Sequence, residues 1–168
     1  KRCGVTDVLA LSAIGSLREE MAPGHFVVVN QFIDHTLARE RSFFGPGLVA
    51  HVSLADPVCP RLSGMAAHAA GAAGATVHAG GCYVAIEGPQ FSTRAESHLF
   101  RGFGADVIGM TAMPEARLAR EAELPLQAVT IAGEPRVPEG LSLLALEPRT
   151  LVLSALMRRR EELNAAGA

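Results

Sequence analysis

Three apolar runs separated by two short helical stretches constrain the fold of this chain more than any other feature. The pattern predicts strands at Cys82–Ile86, Val107–Met110 and Gln127–Ile131, with helices at Arg94–Phe103 and Pro114–Ala122 between them. Strands connected through helices cannot form hairpins, so they belong to a parallel or mixed sheet with the helices packed on it. The expected fold is therefore α/β, a mixed and largely parallel sheet with helices on both faces. Local punctuation agrees with this. Gly88-Pro89 directly after Glu87 stops both further strand pairing and an immediate helix. Thr93 and Glu96 form a capping-box pattern, and Gly104 ends the helix that follows. Pro114 suits a first helical turn, and Arg117 with Glu121 makes a compatible i,i+4 pair.

Upstream, Val8–Ser12, Phe26–Val29 and Leu48–Ser53 read as strands. Ala13-Ile14-Gly15-Ser16 reads as a turn whose free amides could meet an anion, and Pro23-Gly24 as another turn. Arg61–Gly74 is alanine-rich and helical in pattern, although Gly64 and Gly71 each cost about 1 kcal/mol relative to Ala. A close helix contact would account for them. Ligands in sheets of this kind bind beyond the carboxyl ends of strands. Ser12-Ala13, Glu87 to Ser92 and Met110-Thr111 all fall at such ends, so three sequence-distant segments are expected to converge on one site.

Bulk properties narrow the function. The chain has 168 residues, 49% of them hydrophobic, which fits a single domain with an ordinary core. A net charge of −2, one Tyr and no Trp offer neither a basic field for phosphate backbones nor stacking platforms for bases, so nucleic acid is not an expected partner. No apolar run reaches the roughly 18 residues of a membrane span, and no charged-then-apolar leader opens the sequence, so a cytoplasmic location is expected. The three cysteines, Cys3, Cys59 and Cys82, are odd in number and never spaced Cys-x-x-Cys; buried, reduced thiols are expected. His25, His35, His68, His78 and His98 form no ligand spacing, so no metal is expected. Without a Gly-x-Gly-x-x-Gly or P-loop pattern, no cofactor is expected either.

The segment Glu87-Gly-Pro-Gln-Phe-Ser-Thr-Arg-Ala-Glu96 with the later Met110-Thr111 resembles the purine nucleoside phosphorylase family, in particular its 5'-methylthioadenosine (or methylthioinosine) phosphorylase branch. The resemblance continues in the same order through Ala13-Ile14-Gly15-Ser16-Leu17-Arg18-Glu19-Glu20, Gln31-Phe32-Ile33-Asp34, His51, Ala55-Asp56-Pro57, Cys59-Pro60 and on to Glu121, roughly three quarters of the chain. It implies phosphate-dependent cleavage of a purine nucleoside to free base and sugar 1-phosphate, a step of nucleoside salvage, with phosphate as co-substrate and a homotrimer as the assembly. By resemblance, Ser12, Ala13 and Thr111 face phosphate, Met110 the ribose, and Phe91 and Ser92 the base. His51 is contributed to a neighbouring subunit's pocket. The residue types suit these roles, with hydroxyl and amide donors for an anion and apolar faces for sugar and purine. Each has a plainer alternative: core packing for Met110 and Phe91, local capping for Thr111 and Ser92, an ordinary surface or core histidine for His51. Arg94 and Glu96 read as structural. Ser92 in place of an acid favours the methylthio branch.

Two departures from the family pattern stand out. Relatives begin with a further segment that carries a Gly/Ser-rich phosphate turn and an Arg-His pair; nothing before Lys1 corresponds to it, so the chain reads as N-terminally truncated. After Val129-Thr130-Ile131-Ala132 the branch has Thr-Asp-Tyr-Asp, whereas this chain has Gly133-Glu134-Pro135-Arg136. Glu134 then occupies a purine-facing aspartate position and is the candidate catalytic residue, while Arg136 reverses the charge at the other. The expectation is one nucleoside phosphorylase-like domain over 1–168, divergent over 133–168, with a terminal helix at Leu151 to Asn164. The alternative is an inactive or truncated relative serving as a nucleoside-binding or structural subunit.

Overall fold

The structure, a computed structural model, describes residues 1–133. Glu134, Arg136 and the expected Leu151–Asn164 helix lie outside the described residues. The middle strand, β1 (Val8–Ser16), has β7 (Leu126–Ala132) on one side and β6 (Val107–Gly109) on the other. The remaining strands are β2 (Phe26–Val28), β3 (Gln31–His35), β4 (Val77–Ala79) and β5 (Cys82–Ile86), and together they form one seven-stranded sheet in the order β3-β5-β6-β1-β7-β2-β4. The β3–β5, β5–β6, β1–β7 and β2–β4 pairs are parallel, while β1–β6 and β2–β7 are antiparallel. The sheet is mixed and mainly parallel, as the strand–helix alternation requires.

One core cluster takes side chains from β1, β2, β5, β6 and β7 together, among them Ile14, Val27, Tyr83, Ala85, Val107 and Ala128. Phe32 of the edge strand β3 packs against the same cluster. Strands near opposite ends of the order share a core only if the sheet curls, so this cluster fills the concave side. Ala116 and Ala119 of α3 (Glu115–Glu121) join it there, and alanines let the short helix sit close. The other side carries α2 (Arg94–Gly102), whose Phe100 packs with Leu17, Val84 and Ile86. It also carries α1 (Pro60–Ala72), where Ser63 hydrogen-bonds the buried Gln127 of β7. Between α1 and α2, the outward Leu9 and Leu11 of β1 remain 55% and 56% exposed.

Local signals define α2 as the sequence predicts. Thr93 Oγ1 accepts from the Glu96 amide at 3.2 Å and Glu96 Oε2 accepts from the Thr93 amide at 2.6 Å, closing the capping box. Gly104 follows with φ +86°, a value that favours glycine.

Other expectations are corrected. Ala13 to Ser16 is not a turn but the end of β1. Its small residues let the strand pass close to β6, where a Cβ on Gly15 would stand 3.0 Å from Ile108 Cγ2. That backbone is extended, so its amides do not converge as those of a turn would. Leu48–Ser53 is irregular and largely exposed, and it pairs with no strand of the sheet. Gly64 and Gly71 have open space where a side chain would be, so no close contact explains them. Cys3 is exposed instead of buried, and all three cysteines are free. Arg117 does not pair with Glu121: its Nε donates to Asp34 Oδ2 at 2.8 Å, while Glu121 accepts from the Phe43 amide at 2.7 Å.

Asp34 ties β3 to α3. Its side chain is only 3% exposed and accepts from Thr36 N at 3.0 Å, Thr36 Oγ1 at 2.6 Å and Arg117. Burial alone would push its carboxyl up; the Thr36 hydrogen bonds and the Arg117 charge outweigh that and hold it below the ordinary value. A carboxyl depressed in the folded state stabilises above its unfolded pKa, and the contribution is lost as pH falls through the folded value. Asp34→Ala is expected to cost about 3 kcal/mol by leaving Arg117 unanswered, measured by urea unfolding at neutral pH. The difference from the parent chain should shrink as the medium is acidified.

Candidate functional site

The antiparallel register between β1 and β6 builds the site. Gly15 lies opposite Ile108 and Ser16 opposite Val107. The β1–β6 ladder holds these two pairs, and beyond it β1 stays close to the end of β6. The packing agrees, since a Cβ on Gly109 would lie 2.9 Å from Ile14 Cγ2. The loop after β5 closes on the same point, because a Cβ on Gly88 would fall 2.6 Å from Met110 Sδ.

Tyr83 of β5 fixes Thr111. Its hydroxyl accepts from the Thr111 amide at 3.1 Å and lies 3.4 Å from Thr111 Oγ1. The ring runs under β6, where a Cβ on Gly109 would come within 2.1 Å of the hydroxyl oxygen, so only glycine leaves the path open. Tyr83 is itself fully buried and packs against Phe32, with ring centroids 5.9 Å apart.

A second knot lies beside it. Glu87 Oε2 accepts from the amides of Leu37 and Ala38 at 2.6 and 3.1 Å, and Oε1 accepts from Arg39 Nε at 3.2 Å. The Leu37 and Ala38 amides, then Arg39, hold the Glu87 carboxyl below its ordinary value. Glu115 stands on the far side of Arg39; desolvation raises its carboxyl, and the guanidinium opposes that rise.

Of the residues singled out from sequence, Met110 and Thr111 follow the end of β6, and Ser12 and Ala13 lie in β1, the neighbouring strand. Met110 is half-buried against the Val84–Ile86–Phe100 cluster, and Thr111 is exposed. Phe91 projects into solvent at 81% exposure. Ser92 Oγ lies 2.9 Å from Ser97 Oγ of α2, a side-chain contact and not a cap, since Thr93 caps the helix. His51 is exposed on the irregular 42–59 segment and has no hydrogen bond or ion pair among the described residues. Two clefts lie elsewhere. One of about 330 Å³ separates Ser16–Glu19 from the Arg94 and Arg101 face of α2, and one of about 670 Å³ adjoins the β4–β5 turn. Tyr83, Gly109 and Arg39 are the structural parts of the candidate site that sequence reasoning missed. The Gly109-Met110-Thr111 word marks the place, but the partners of that word come from β5 and from the segment after β3.

A curled mixed sheet with a Met-Thr corner after β6 and a Glu-Gly-Pro loop beside it is the setting in which the family match falls: the chain belongs to the phosphorylase superfamily, whose family model matches residues 1–148. Within that superfamily it belongs to the methylthioadenosine phosphorylase branch of the purine nucleoside phosphorylases. It is 63% identical over 134 residues to an S-methyl-5'-thioadenosine phosphorylase of Cereibacter sphaeroides, covering 80% of this chain and 46% of that one. With the protein of the same name from Geobacter sulfurreducens it shares 57% identity over 135 residues, covering 80% and 47%. The structure superposes on methylthioadenosine phosphorylase from Schistosoma mansoni in complex with tubercidin with a TM-score of 0.75 at 38% identity, covering 78% of this chain and 54% of that one. The chain therefore spans less than half the length of these two bacterial relatives.

Tyr83→Phe removes the acceptor of the Thr111 amide and is expected to cost about 1 kcal/mol in denaturant unfolding. Hydrogen exchange at the Thr111 amide should accelerate while that of the β7 amides keeps pace only with the change in global stability.

Proposed function

We propose that this chain carries the sugar- and base-facing part of a nucleoside phosphorylase. Phosphate attacks C1' of a purine nucleoside, a 5'-methylthio one, and the bond to the base breaks to give free purine and sugar 1-phosphate. The observation that carries this reading is the Met110-Thr111 corner at the end of β6, held by Tyr83 and Arg39 beside the strand that contains Ser12-Ala13, in a chain of this family. Thr111 Oγ1 and Ser12 offer hydroxyls to phosphate beside the Ala13 backbone, and Met110 offers a thioether face to the sugar. Phe91 and Ser92 line the base side, and Glu134 accepts a hydrogen bond from the purine. Preorganised donors that meet charge as it develops on phosphate and base would supply the acceleration.

His51 acts in this reading on a neighbouring subunit of a homotrimer. The exposure around it supports an interface, since Leu48, Val49 and Val52 are 61%, 74% and 42% exposed, with Leu37 at 83% and Phe43 at 67% nearby in sequence. An apolar run left in water over such a length marks a surface that another protein covers.

A second reading, an inactive nucleoside-binding or structural subunit without turnover, is favoured by the solvent exposure of Thr111 and Phe91. Purine release from 5'-methylthioadenosine, 5'-methylthioinosine and inosine, with and without phosphate, distinguishes the two. Phosphate-dependent release is the expected result, binding without release would establish the second reading, and neither would reject both. Glu134→Gln is expected to weaken purine binding measured by calorimetry; an unchanged affinity would remove Glu134 from the site.

A further inference from the structure

The guanidinium of Arg39 has five N–H groups, and five acceptors surround it. Nε donates to Glu87 Oε1 at 3.2 Å. One terminal nitrogen donates to the carbonyl of Met110 at 2.5 Å and to that of Met113. The other donates to the carbonyls of Ile86 at 3.3 Å and Glu87 at 3.0 Å. One side chain therefore gathers the end of β5 and the turn that leaves β6, the two backbone stretches that meet at Gly88 and Met110. Glu87 completes the knot by binding the Leu37 and Ala38 amides, which fixes the segment that presents Arg39. No backbone pairing does this work, since the β5–β6 ladder ends at Ala85 and Gly109.

We propose that Arg39 is a positioning residue: clamped by Glu87, its planar fork holds the Met110-Thr111 corner at a fixed distance from the Glu87-Gly88 loop, and nucleoside binding depends on that hold. The inference rests on the reading above for the identity of the ligand, but not for the clamp itself. Lysine keeps the charge, yet its three donors on a single nitrogen cannot span four carbonyls and a carboxylate spread over two chain segments. Arg39→Lys therefore isolates geometry from charge.

The test uses the whole chain labelled with 13C at the methionine methyls. Met21 and Met65 lie away from the knot and report on the fold, while Met110 and Met113 report on the clamp. In Arg39→Lys the Met110 and Met113 signals are expected to shift or broaden while Met21 and Met65 stay in place. Affinity for 5'-methylthioadenosine, measured by calorimetry, should fall about tenfold or more, because binding geometry loose by about 1 Å is that costly. If Arg39→Lys disturbs all the methionine signals, Glu87→Gln serves instead. It leaves the four carbonyls and releases the Leu37–Ala38 anchor, so the same two signals should move with about a threefold loss of affinity. Signals from Met110 and Met113 that do not move in the variant that folds, or an affinity unchanged within twofold where the parent chain binds, would overturn the proposal. If the parent chain binds no nucleoside, the proposed function fails, and the two methionine signals alone then decide whether Arg39 holds the corner.

Discussion

A carboxylate with 3% of its side chain exposed must be met by donors from every direction it faces, and Asp34 is met from its own chain by Thr36 and from α3 by Arg117. That demand organises one end of the sheet. It sets where α3 lies against the concave core, and it turns the chain after β3 so that Leu37, Ala38 and Arg39 face Glu87. The short edge strand β3, with five residues and exposed ends, would have little to hold it otherwise. The candidate site thus depends on a buried ion pair that touches none of its members.

The site itself is assembled by backbone approach. Gly15, Gly88 and Gly109 each leave room for a neighbour that a methyl group would crowd: Ile108, Met110 and Tyr83 respectively. Packed interiors transmit such restrictions because they hold few voids. The corner is consequently stiff on its β5 side, where a buried ring and a hydrogen bond hold Thr111, and open on its solvent side, where Phe91 stands free. A stiff corner suits anchoring of a polar ligand. The open flank leaves hydrophobic surface that a larger assembly would cover.

Sequence reading recovered what local chemistry decides. The ends of α2 follow from Thr93, Glu96 and Gly104, β5 follows from an apolar run, and β7 from an apolar run interrupted only by Gln127 and Thr130. It failed where long-range pairing decides. Ala13 to Ser16 looks like a turn because of its small residues, yet Gly15 here serves a close approach to Ile108 of β6. Leu48–Ser53 has strand composition and no partner. Strands β3 and β4 are edge strands that contain Asp34 and His78, which breaks the apolar alternation. For the site, the Met110-Thr111 word was legible, whereas Arg39 and Tyr83 were not, since their partners lie 71 and 28 residues away.

Tyr83 has one more consequence. The chain contains a single tyrosine and no tryptophan, so its near-ultraviolet absorption and emission above the weak phenylalanine background come from this one phenol. That phenol touches the floor of the corner through Thr111 and the heart of the concave core through Phe32. The molecule therefore carries a built-in optical reporter in which occupancy of the corner and loss of the core are read from the same ring, with no label to attach and no second emitter to subtract.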